Sequence, residues 1–98
     1  MLNIRFKKSQ YIIGNQVEFI NYLKKNYPLF HMSNVFFRDL HYGVMGFLKM
    51  KKAKIGYTEA EQVTREVAVE FEKKNILRKM DYQTWLLNYP EFTANKAQ

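Results

Sequence analysis

The stretch TEAEQVTREVAVEFEKKNILRKMDYQTWLLNY, residues 58–89, changes period halfway along, and that change decides the fold. Its first half places Ala60, Val63, Val67, Ala68 and Phe71 at helical spacing. It opens on Thr58 with Glu61 three residues later, the capping-box pattern in which each side chain satisfies a free backbone N–H of the first turn. Asn75 follows Lys73 and Lys74, where a residue with left-handed backbone would close the helix. Two short apolar runs, 76–80 and 84–89, then flank the polar Asp81-Tyr82-Gln83, with Trp85, Leu87 and Tyr89 alternating onto one face. The reading is a helix running directly into a β-hairpin that Pro90 ends.

Working towards the N-terminus, Phe36, Phe37, Leu40, Val44, Phe47 and Leu48 form the stripe of a second helix, expected to start after a Ser33 cap and to reach about Lys52. Gly43 and Gly46 fall inside it, each costing about 1 kcal/mol relative to Ala, so a close backbone approach within the domain or across a dimer is expected there. Another helix is expected from Gln16, with Asn15 and Glu18 as a capping-box variant, Val17, Ile20 and Leu23 at spacings of three, and Pro28 stopping it. Leu2, Ile4 and Phe6 alternate with Asn3, Arg5 and Lys7, the period of a short strand over residues 2–7. Residues 9–14 fit an arm, a second strand or a lead-in to the helix. The expected organisation is an N-terminal strand or arm (1–13), one domain (14–92) and a flexible tail (93–98). Its class is α+β, a three-helix core with a small antiparallel sheet built on the C-terminal hairpin.

This order resembles the winged-helix family, in which the last helix of a three-helix core enters a two-stranded wing through a turn like Asn75-Ile76-Leu77-Arg78-Lys79. The resemblance covers about residues 15–90 and is most specific over 58–89. It implies a winged helix-turn-helix fold, with the third helix in the DNA major groove and the wing on the backbone or minor groove in many members, and a protein-interaction role in others. Two features depart from the pattern. The second helix is long, and from Glu59 to Lys74 the third carries five acids against three bases, a net −2, with only Gln62 and Arg65 suited to base edges.

Length and composition allow one domain: 98 residues, 47% hydrophobic, with sixteen Phe, Tyr or Trp and no cysteine, so disulfides and thiolate metal sites are excluded. The net charge is +7, and its distribution is uneven. Residues 1–57 hold ten bases against two acids, +8, and residues 58–98 six against seven, −1. Such a one-sided field attracts polyanions without specifying which. The longest uncharged apolar run, 42–48, is far short of the roughly 20 residues that span a bilayer, and charge interrupts the N-terminus before a signal peptide could form. No membrane span and a cytoplasmic location are expected.

Catalytic chemistry has little support, since two histidines, no thiol and no glycine-rich phosphate loop leave no convergent set. His41 reads as a packing histidine, His31 and His41 do not have metal-ligand spacing, and no enzyme activity, cofactor or metal is expected. The candidate nucleic-acid contacts are Lys49, Lys51, Lys52 and Lys54, with Arg65 and the wing residues Arg78, Lys79 and Tyr82, supplemented by Lys7, Lys8, Lys24 and Lys25. The leading expectation is a non-enzymatic module that binds nucleic acid with low sequence specificity. The alternative is a homodimeric or adaptor module, its interface at Gly43 and Gly46 and at amphipathic rings such as Tyr11, Tyr22, Tyr42, Tyr57, Tyr82 and Tyr89, with a second copy or an acidic protein as partner.

Overall fold

Helix α4 spans Tyr57–Lys73 and passes straight into the antiparallel hairpin β2 (Leu77–Asp81) and β3 (Thr84–Leu87) in the computed structural model, which describes residues 4–93. Asn75 has φ 61°, and the bonds from Ile76 N–H to Phe71 O and from Asn75 N–H to Glu72 O close the helix as a Schellman turn. The left-handed residue expected at Asn75 is therefore present. Asp81 accepts the Gln83 N–H at 2.8 Å and shapes the two-residue turn. Trp85 and Leu87 point into the core, and the Trp85 Nε1–H donates to Glu72 at 2.7 Å, so the buried indole is satisfied.

The remaining elements are α1 (Ile4–Gly14), α2 (Gln16–Asn26), β1 (Asn34–Phe36) and α3 (Phe37–Met50), with a 3-10 turn at Pro90–Phe92. The class is α+β, consistent with a winged-helix-like arrangement: four α-helices and a three-stranded antiparallel sheet in the order β1-β3-β2. Val35 pairs with Trp85, which seats the sheet against the helices. One core joins Ile12 of α1, Phe19 and Leu23 of α2, Leu40, Val44 and Phe47 of α3, Val63, Val67 and Phe71 of α4, and Trp85 and Leu87 of β3.

Four local expectations are corrected. Residues 4–7 are helical, not strand, and Leu2 and Asn3 lie outside the described residues. The alternation there is too short to compete with a helix that buries Ser9 and Ile12 on one side. Helix α1 continues through residues 9–14 and lies along α4, where Lys8 donates to Lys54 O at 2.6 Å and pairs with Glu59 at 3.2 Å. Ser33 does not cap a helix. It accepts the Phe30 N–H in a turn, and the next three residues form β1, so α3 begins three residues later than expected. Neither capping box forms. Asn15 turns its Nδ2 back onto Tyr11 O, while α4 starts at Tyr57 with Gly56 in the cap position and no side-chain cap bond. Of the tail, only Thr93 lies within the described residues.

Candidate nucleic-acid interface

The basic residues of the first half do not act as one set. Lys51 pairs with Glu18 across α3 and α2, and that hydrogen bond, its main cause, raises the Lys51 pKa above the usual 10.5. Lys8 is held by Glu59, Lys24 sits over the Phe30 and Phe92 rings while donating to Leu29 O, and Lys74 of α4 donates to Gln16. The Lys7 side chain lies outside the described residues. Lys49, Lys52 and Lys54 differ: all three are exposed, and their ammonium groups make no ion pair among the described residues. They rim one open groove of about 1050 Å³ at the C-terminal end of α3.

That groove follows from helical spacing. Tyr42, Met45, Gly46 and Lys49 stand at i, i+3, i+4 and i+7 on the side of α3 away from Phe37, Leu40, Val44 and Leu48, which are buried. Lys52–Gly56 return as the opposite wall, with Ala53 and Ile55 completing an apolar floor and Glu59 at the margin beside Lys8. The wall turns at Lys52, whose φ is 64°. Ala53 N–H bonds to Leu48 O and Lys52 N–H to Lys49 O, a second Schellman turn with lysine where glycine is favoured.

Beside the groove, His41 is buried and lines up two exposed rings. It lies parallel to Tyr42, at 5.8 Å between centroids and 4° between planes, and edge-on to Tyr57 at 4.5 Å. Its Nε2 donates to Tyr57 O at 3.1 Å, tying the start of α4 to α3. His31 is also engaged in the fold, its Nδ1 accepting the Tyr89 N–H at 3.0 Å. Among the described residues no three His, Asp or Glu side chains gather to hold a metal ion.

The other candidate residues lie elsewhere. Arg78 and Lys79 are exposed on β2, and Tyr82, 67% exposed, tips the hairpin. The hairpin tip meets the beginning of α3, where Phe37 N–H bonds to Gln83 O at 2.8 Å. Lys49 stands about 18 Å further along the helix axis at 1.5 Å per residue, so wing and groove are separate patches. Arg65 is not available to base edges: its guanidinium covers the Phe37 ring at 4.0 Å and donates to Tyr82 O at 3.0 Å, clamping α4 to the hairpin. The rest of α4 offers no basic stripe. Glu66, Val69 and Glu70 adjoin Gln10 and Ile13 of α1, and the exposed residues after Tyr57 are Thr58, Glu61, Gln62, Val69 and Lys73.

Gly43 and Gly46 are explained inside the domain. A Cβ at Gly43 would strike the Leu23 side chain and one at Gly46 the Tyr22 hydroxyl, so both glycines admit α2 against α3 and neither calls for a second copy. Of the two expected origins of the close approach, within the domain or across a dimer, the first accounts for both glycines. Met45, Ala53 and Ile55 were missed as site residues by sequence reasoning, although the Tyr42-Met45-Gly46-Lys49 spacing is a readable second stripe on α3. Among the described residues no helix is long and apolar enough to cross a membrane. Comparison with protein-family models, with curated proteins and with solved structures finds no match.

Proposed function

We propose that the chain is a winged-helix-like, non-enzymatic binding module that meets nucleic acid through the α3–α4 elbow, using Lys49, Lys52 and Lys54 as phosphate contacts with little sequence specificity. The resemblance rests on the order α2-β1-α3-α4-β2-β3 and the sheet order β1-β3-β2, with α1 as an addition in front. The carrying observation is that these three lysines share one groove and, among the described residues, lack acidic partners, while Lys8, Lys24, Lys51 and Lys74 are each occupied within the fold. Phosphate contacts position a ligand without reading its sequence, which fits an α4 whose outward residues include one acid, one base and no guanidinium. The wing residues Arg78, Lys79 and Tyr82 form a secondary contact.

The test compares the wild-type protein with the Lys49→Glu/Lys52→Glu/Lys54→Glu variant in anisotropy titrations against labelled nucleic acid at low salt. Loss of binding with an unchanged melting curve supports the site. Unchanged affinity removes it and leaves the adaptor reading. That alternative draws on the outer face of the sheet, where Phe36 is 46% exposed on the same side as Asn34 and Leu86.

A further inference from the structure

We infer that the groove takes a single strand of nucleic acid in preference to a duplex, its phosphates on Lys49, Lys52 and Lys54 and an unpaired base on Tyr42. This rests on the proposed function and adds the ligand class. A duplex presents phosphates outward and keeps its base faces stacked, so it would use the lysine rim and leave the apolar floor and the tyrosine idle. An unstacked strand uses all three. The floor of Met45, Ala53 and Ile55 accepts apolar faces, and the Tyr42 ring, 48% exposed, is set parallel to the buried His41 ring at 4°. A ring so oriented is a stacking surface prepared before the ligand arrives, and stacking tolerates any base because each has a π-face.

The neighbouring geometry also disfavours a duplex. A helix-turn-helix contact would need the outward side of α4, which carries Glu61 and no arginine and is flanked by α1. The wing cations lie at the other end of α3, so they do not extend the lysine rim into a continuous track for two backbones. Charge complementarity selects an anion, and the ring selects one with flat faces. An acidic peptide satisfies the first requirement alone.

The experiment is an anisotropy titration at one fixed low salt concentration with three probes: an oligothymidylate of about 15 nucleotides, a duplex of equal length, and polyglutamate of matched charge as competitor. The expected result is that the single strand binds about tenfold more tightly than the duplex and that polyglutamate displaces it poorly. Tyr42→Leu should lose about tenfold on the single strand and stay within about twofold on the duplex, whereas Tyr42→Phe, which keeps the ring, retains binding. Equal or tighter duplex binding, or an unchanged Tyr42→Leu affinity for the single strand, overturns the inference while the lysine site stands. Efficient displacement by polyglutamate overturns it in favour of an acidic protein partner. No binding of either nucleic acid overturns the proposed function and the inference together.

Discussion

Lys52 illustrates how single residues bear on both stability and binding. A lysine in left-handed backbone costs on the order of 1 kcal/mol compared with conformations it prefers, and glycine escapes that penalty. Lys52→Gly should therefore raise stability by about 0.5–1 kcal/mol while weakening nucleic-acid binding, measured by thermal melts and anisotropy on the same preparation. A variant that is more stable and binds equally well would show that the Lys52 ammonium plays no part in the groove. The interior glycines behave differently from each other. Gly43→Ala meets the buried Leu23 and should destabilise by about 1–3 kcal/mol, less the helix-propensity gain, whereas Gly46→Ala displaces only the half-buried Tyr22 hydroxyl and should be nearly neutral in urea unfolding.

At the scale of elements, the junction between α4 and the hairpin depends on Arg65. Its contacts with Phe37 and Tyr82 O couple three elements, so Arg65→Ala should cost about 1–2 kcal/mol in denaturant titrations and leave nucleic-acid affinity within about twofold. A binding loss with intact stability would return Arg65 to the interface. The same junction was the most legible part of the chain. The period change across residues 58–89, the left-handed Asn75 and the polar turn at Asp81 are local signals, and each has its counterpart in the structure. Strand β1 was not legible, because three residues carry no period and its partner Trp85 lies fifty positions away. Helix α1 was misread for a related reason. Its apolar face is defined by packing on α4, and Ile4 and Phe6 alone imitate a strand. Of the two capping-box patterns, Asn15 does hold the cap position of a helix that starts at Gln16, but its side chain bonds back to Tyr11 O, whereas Thr58 falls inside a helix that starts one residue earlier, at Tyr57. In the candidate site, the lysine cluster was visible as composition, but which lysines were already paired depended on contacts such as Lys51 with Glu18, distant in sequence.

At the scale of the whole molecule, alkali should weaken the fold through Tyr27, Tyr89 and Lys51. Burial, the largest cause, raises the Tyr27 and Tyr89 pKa values above the usual 10.0, with Asp39 adding to the shift at Tyr27 and Glu91 at Tyr89. The Glu18 hydrogen bond raises Lys51 above 10.5. In all three the folded state holds its proton more tightly than the unfolded chain, so their contribution is fully present below the unfolded pKa and is lost as pH rises through the folded one. Urea midpoints should thus show no loss from these groups between pH 7 and 9 and a decline beginning above about pH 10, with Tyr27→Phe reducing the decline. A decline of equal steepness in Tyr27→Phe would remove that ring from the cause.

The division of labour among the lysines, with some holding the fold together and three left at the groove, is most directly tested by the salt dependence of wild-type binding. Three phosphate contacts should give a log–log slope of affinity against salt of about −2 on a single strand and about −3 on a duplex. Slopes in that range, flattening by about one for each of Lys49, Lys52 and Lys54 replaced on the duplex, are the expected result. Binding that ignores salt, or no binding even at the lowest salt, would contradict the assignment of these lysines to a nucleic-acid site.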